Sequence, residues 1–171
     1  LIGAGVVFGT YAVSKALLPY QPQIALGAAA LVAFLPQHVA MLASVNNDSL
    51  AEALVAATLW LTIRTLKREN ANGWVLGGLV GLALLTKINT IFLVGIVPLA
   101  ILLKWWNTTR RDLPELLRRL ALFAVPLLLI SGVWWVRNVD VYGFPDVFGL
   151  GQHDRVVADQ ARTSERIAEI G

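Results

Sequence analysis

The sequence predicts an all-α, polytopic integral membrane bundle with short or broken helices, followed by the start of an external segment. Three observations predict it. The 171-residue chain is 57% hydrophobic and only 15% charged, with mean hydropathy +0.66, whereas soluble domains carry roughly 25% charged residues. Its apolar residues fall in runs near the ~20 residues needed to cross roughly 30 Å of hydrocarbon. Prolines and short polar clusters separate these runs, with no soluble domain between them.

Six membrane segments are expected within a transmembrane region covering 1–140. Residues 1–18 are apolar and stop at Lys15 and the Pro19-Tyr20-Gln21-Pro22 turn. Residues 23–45 are apolar except at Pro36-Gln37-His38, where a proline removes a backbone donor and should kink or break the helix. Residues 49–66 run into the basic cluster Arg64, Lys67, Arg68, and residues 117–136 lead into Arg137-Asn138. Between them, 74–86 and 88–106 are divided by Thr86-Lys87-Ile88-Asn89. They can be read as one tilted helix of about 46 Å or as two short helices turning at Lys87.

Basic residues favour the cytoplasmic side of a membrane, and this decides for the turn. With a turn at Lys87, the 64–69 and 104–119 loops join Lys15 on one side, with nine basic against three acidic residues. The other side then has five basic and eight acidic residues. A single long helix would place the dense 104–119 loop on the wrong side. The turn also puts Asp48, Lys87 and the chain after Arg137 on one non-cytoplasmic face. Gly77-Gly78 with Gly81 supplies a small-residue face for close helix packing. Residues 141–171 begin a non-cytoplasmic loop or helix, with Val156-Val157, Ala161, Ile167-Ala168 and Ile170 spaced among charges. The chain opens at Leu1 inside an apolar run and stops at Gly171 in a polar stretch, so it reads as an excerpt of a longer protein.

Composition removes several functions. No cysteine is present, which excludes disulfides, thiol catalysis and Cys-type zinc sites within this chain. A pI near 9.6 would suggest nucleic acid in a soluble protein. Here the basic residues flank apolar spans, topology accounts for them, and no nucleic-acid partner is expected. There is no glycine loop for phosphate, and His38 and His153 stand too far apart in sequence to support a metal cluster.

The polar residues that remain each have two readings. Ionisable groups at membrane depth are costly and usually functional, which draws attention to Asn46-Asn47-Asp48. Asp48 can serve as a base or as a holder of a hydroxyl or metal ion at a wet cavity mouth. It can also simply favour a helix start, with Ser49 and Glu52 forming a capping box. Lys87 either snorkels at a helix end or holds a phosphate as a flexible point charge, with Asn89 and Thr86 adding hydrogen bonds. Trp134-Trp135 and Tyr142 around Arg137 read as an interfacial belt or as a lip in which Arg137 clamps a phosphate or sugar. Trp105-Trp106 would be the matching inner belt. Tyr142-Gly143-Phe144-Pro145 is a turn signal. His38 reads as a structural histidine serving carbonyls freed by the break at Pro36. Asn47-Asp48-Ser49 matches a glycosylation pattern, but it abuts a span and is taken as coincidence.

Taken in order, Phe34-Leu35-Pro36, Ser44-Val45-Asn46-Asn47-Asp48, Gly77 to Lys87, and Arg137-Asn138 with Tyr142-Gly143-Phe144-Pro145 resemble the membrane region of the GT-C superfamily of glycosyltransferases. The nearest branch contains the protein mannosyltransferases and the bacterial aminoarabinose transferase that modifies lipid A (glycosyltransferase family 39-like). The resemblance covers nearly the whole chain. It implies an inverting enzyme in a bacterial cytoplasmic membrane, with its active site facing outside. The donor would be a polyprenyl-phosphate sugar and the acceptor a lipid, glycan or protein. Asp48 matches the family's second acidic position and is the catalytic candidate. Lys87 matches the basic residue that holds donor phosphate, with Arg137, Asn47 and Asn89 as further substrate-binding candidates. The family's first acidic motif lies in a large loop after its first span; no such loop occurs here, so either it precedes Leu1 or the chain is not a competent enzyme. Asp48 is therefore expected to orient an acceptor or contact a metal rather than to act as the sole base. No metal ligand set and no cofactor are assigned, and dependence on a divalent metal stays open, because one acid without a partner does not define a metal site. The competing classes are a transporter or flippase, for which broken helices also suit, and a non-catalytic membrane subunit. No inverted repeat supports transport.

Overall fold

The computed structural model describes residues 1–44, 46–67, 72–108 and 112–158. Val45, the loop residues Arg68, Glu69, Arg110 and Arg111, the side chain of His153, and the expected helix positions from Ala161 onward lie outside the described residues. The fold is all-α, with no strand among the described residues. The elements are α1 (Ile2–Leu17), α2 (Pro22–Phe34), α3 (Pro36–Ala43), α4 (Asp48–Lys67), α5 (Gly73–Thr86), a 3-10 turn η1 (Ile88–Phe92), α6 (Leu93–Trp106), α7 (Leu113–Tyr142) and α8 (Leu150–Ala158). Three stretches (Asp48–Lys67, Ile88–Trp106 and Leu113–Tyr142) are long and apolar enough to cross a membrane, and the bent α2–α3 pair makes a fourth if taken as one span.

The prolines act where their chemistry requires. Pro22 and Pro36 each open a helix, positions at which a missing N–H costs nothing. Pro36 also stops α2, and α3 leaves it at 62°. At Lys87 the backbone is extended, φ −157° and ψ 124°, so residues 74–104 are not one helix. Hydrogen bonds give the directions. Lys87 meets Asp48 at the start of α4, and Lys104 donates to the Thr65 carbonyl near its end. α6 therefore runs parallel to α4, and α5 antiparallel. Lys67 donates to the Ala16 carbonyl at the end of α1. Lys15, Lys67 and Lys104 thus gather at one end of the helices, and Asp48 and Lys87 at the other.

The chain divides into two compact units, Leu1–Ser131 and Gly132–Gly171. In the first, Leu76, Val80, Leu93 and Val97 are fully buried. The buried face of α4 includes Thr58 and Thr62, whose hydroxyls donate to the Leu54 and Thr58 carbonyls at 2.7 Å. Back-bonding of this kind lets a polar residue sit in an apolar interior without an orphan donor. α5 carries a ridge of glycines against α7. A Cβ on Gly77 would strike the Phe123 carbonyl oxygen and approach Pro126 Cγ to 2.7 Å, one on Gly81 would approach Ile130 Cβ to 2.9 Å, and one on Gly73 would meet Leu122 Cβ at 3.0 Å. Gly78 has room, with Ile130 Cδ1 at 3.9 Å. The tight face is therefore Gly73, Gly77 and Gly81, spaced one helical turn apart, rather than the Gly77-Gly78 pair.

In the second unit, α7 ends at Gly143, whose φ of 82° suits glycine and whose N–H bonds the Val139 carbonyl at 2.9 Å. Asn138, 1% exposed, donates to the Val147 carbonyl at 3.0 Å. Trp135 meets Phe148 edge-on at 6.1 Å. Together they fold the 143–149 segment back along the last turns of α7, with the turn at the Tyr142-Gly143-Phe144-Pro145 signal.

Two outcomes are expected. Gly77→Ala should destabilise the detergent-solubilised protein by about 1–3 kcal/mol through overpacking against backbone, while Gly78→Ala should leave its thermal midpoint unchanged. Asn138→Ala should expose residues 143–149 to limited proteolysis, read by peptide mapping, because the Val147 carbonyl loses its donor.

Candidate functional site

A cavity of about 610 Å³ opens between α1, the α2–α3 break, α4 and η1. Most of its wall is apolar (Val6, Val13, Val55, Leu59 and Phe92 among others), and its polar side chains are Thr10, Ser14, His38, Asp48, Glu52, Lys87, Asn89 and Thr90. Such a composition, mainly apolar with a few convergent polar groups, is typical of a small-molecule site.

Three successive residues build one edge of it, each with a separate task. Asn46 shapes the turn: its Oδ1 accepts the Asp48 N–H at 3.0 Å, and its amide donates to Ser44 Oγ at 2.5 Å. Asn47 donates to the Thr86 carbonyl at 2.5 Å, satisfying one of the orphan acceptors at the end of α5. Asp48 is the first residue of α4 and pairs with Lys87 Nζ. Lys87 reaches it because its residue is extended between α5 and η1. Its N–H bonds the Ala83 carbonyl at 2.9 Å, and its own carbonyl accepts from Thr90 N–H at 3.1 Å and Thr90 Oγ1 at 2.8 Å. The paired side chains are 27% and 36% exposed for Asp48 and Lys87, so the pair is shielded yet reachable from the cavity. Snorkelling alone does not describe a lysine fixed in this way.

The capping box does not form as expected. α4 starts at Asp48, Ala51 N–H bonds the Asn47 carbonyl at 3.0 Å, and Ser49 is buried inside the helix. Glu52 turns instead to His38, with Oε2 2.8 Å from Nε2. The other ring nitrogen, Nδ1, lies 3.0 Å from the Val32 carbonyl. Val32 is four residues before Pro36, so its carbonyl is the one that the proline leaves without a helical donor. His38 is structural in the sense that the sequence suggested. It is also on the cavity wall with Glu52, a placement that sequence reasoning missed. The available signal was the spacing of Asp48 and Glu52, four residues apart on one helical face.

Of the expected site residues, the fold thus brings Asp48 and Lys87 into contact and puts Asn89, exposed, on the same wall. Asn47 braces the edge through Thr86. Arg137 belongs to the second unit, where its Nη1 approaches Asn138 Oδ1 at 3.4 Å. Among the described residues, no three His, Asp or Glu side chains gather to hold a metal ion.

Chemically, the cavity offers one cation able to meet an anionic oxygen and two carboxylates able to accept hydrogen bonds from hydroxyls. It presents them on a largely apolar wall. No curated protein and no solved structure matches the chain. The family described as dolichyl-phosphate-mannose-protein mannosyltransferase matches over residues 1–135. That match spans α1 to α6 and most of α7, including the whole cavity, and the chain belongs to this family of GT-C glycosyltransferases.

Proposed function

We propose that this membrane glycosyltransferase takes a sugar from a polyprenyl-phosphate donor at the non-cytoplasmic face and passes it, with inversion, to a lipid, glycan or protein acceptor. The observation that carries the reading is the Asp48–Lys87 pair on the wall of a largely apolar cavity, at the end of the helices opposite Lys15, Lys67 and Lys104. Basic residues collect on the cytoplasmic side, so the opposite end is the non-cytoplasmic one.

The acceptor hydroxyl oxygen attacks the anomeric carbon. The bond from that carbon to the phosphate oxygen breaks, and its electron pair leaves with the phosphate. The polyprenyl phosphate is a competent leaving group, so the protein has two tasks: to neutralise charge growing on phosphate and to orient the hydroxyl. Lys87 performs the first by exchanging Asp48 for a phosphate oxygen, which a flexible ammonium does readily. Asp48, released, accepts a hydrogen bond from the acceptor hydroxyl, and the proton that this hydroxyl loses passes to the departing phosphate, whose dianion can take it. Asn47 and Asn89 hold the polar edge, and Arg137 stands as a substrate-binding candidate on the family resemblance alone.

Asp48→Asn should reduce transfer more than tenfold in a polyprenyl-phosphate-sugar assay while the protein remains in the membrane; near wild-type transfer would sink the assignment. Lys87→Met should raise the donor KM about tenfold, with Lys87→Arg recovering part of it. Sidedness can be read by single-cysteine labelling, since the chain has no cysteine of its own. A membrane-impermeant maleimide should label Asn46→Cys in intact cells, and Asn107→Cys only after permeabilisation.

A further inference from the structure

The second polar pair in the cavity has a proton count that its geometry dictates. The Val32 carbonyl can only accept, so His38 Nδ1 carries a hydrogen toward it. Nε2 and Glu52 Oε2, 2.8 Å apart, then need one proton between them, whichever atom carries it. That proton anchors Oε2, and Oε1 accepts no hydrogen bond among the described residues. Glu52 is nonetheless on the cavity wall with its side chain 37% exposed, whereas His38 behind it is 13% exposed. A carboxylate with one oxygen fixed and the other open to a cavity is arranged to hold something.

The surrounding charges define what that is. The titratable and charged groups lining the cavity are His38 from α3, Asp48 and Glu52 from α4, and Lys87 between α5 and η1; α1 contributes only Val6, Thr10, Val13 and Ser14. The lysine end suits an anion and Glu52 opposes one. Glu52 is one helical turn from Asp48, about 6 Å along the axis, the reach from a phosphate to the far hydroxyls of the sugar it carries. Thr10 and Ser14 supply hydroxyls on the facing wall. We propose that Glu52 is a substrate-contacting residue that grips hydroxyls of a glycosyl ring in this cavity, and that His38 is its positioning residue. The inference rests on the glycosyl-transfer reading and adds the subsite that recognises neutral sugar. Donor sugar and acceptor glycan share this hydroxyl chemistry, and kinetics separate them.

The test uses the membrane-embedded protein, with transfer followed at varied donor and saturating acceptor, then the reverse. Glu52→Gln should raise the KM of one substrate about tenfold, the scale of a hydrogen bond to a charged group, with kcat within about threefold. The substrate whose KM moves is the one that Glu52 grips. Two histidine variants separate positioning from a purely structural role. His38→Gln keeps a donor toward Glu52 but not toward Val32, and should retain the wild-type KM. His38→Asn keeps a donor toward Val32 but cannot reach Glu52, and should reproduce the Glu52→Gln defect. Rescue by Asn and failure of Gln would make His38 a cap for Val32 and overturn its positioning role. Unchanged KM values in Glu52→Gln, or a loss confined to kcat, would overturn the subsite while leaving glycosyl transfer intact. Absence of transfer by the wild-type protein would overturn both.

Discussion

The contact on which the rest of the first unit depends is the clasp between the start of α4 and the α5–η1 junction. Asp48 holds Lys87 and Asn47 holds the Thr86 carbonyl. An extended residue between two helices leaves their end groups unsatisfied, a costly state where water is scarce. The clasp supplies partners from the neighbouring helix and fixes where α5 stops and α6 begins. The same contact places a cation and a carboxylate on a shared wall. Structure and chemistry draw here on the same four residues, so the site cannot drift without opening the helix junction.

Two of the polar groups on the cavity wall arise from breaks in regular backbone. Pro36 removes a donor, His38 moves in to serve the freed Val32 carbonyl, and its second nitrogen is thereby aimed at Glu52. Lys87 departs from helical geometry, and its side chain is thereby delivered to Asp48. These two side chains, His38 and Lys87, reach the cavity at places where the helical backbone is interrupted. Regular helix supplies other parts of the polar lining, Thr10 and Ser14 from α1 and Glu52 from α4.

The breaks at Pro36 and Lys87 were legible in the sequence because a proline and an isolated charge within apolar runs are properties of the chain in one dimension. The shared end of Asp48 and Lys87 was legible too, since the distribution of basic residues constrains which loops lie together. The His38–Glu52 pair was not. Its partners are fourteen residues apart and meet only because α3 leaves α2 at 62°, an angle that no residue pattern states. The capping-box motif pointed Glu52 the wrong way because Ser49 and Glu52 satisfy its spacing whether or not the helix begins there. The Gly77–Gly81 spacing of the glycine face was legible as a motif, but its extension to Gly73 and the room at Gly78 were not. Gly73, Gly77 and Gly81 form the ridge, and the choice among adjacent glycines depends on which side α7 approaches.

The lysines at the opposite end have a temporal consequence. Lys67 closes the last turn of α1 by donating to the Ala16 carbonyl fifty-one residues earlier in the chain, and Lys104 serves Thr65 across thirty-nine. Each helix is synthesised well before the residue that completes it. During biosynthesis, the end of α1 must therefore stay in contact with water or headgroups until α4 arrives. In both contacts a later helix supplies the donor that the end of an earlier helix lacks.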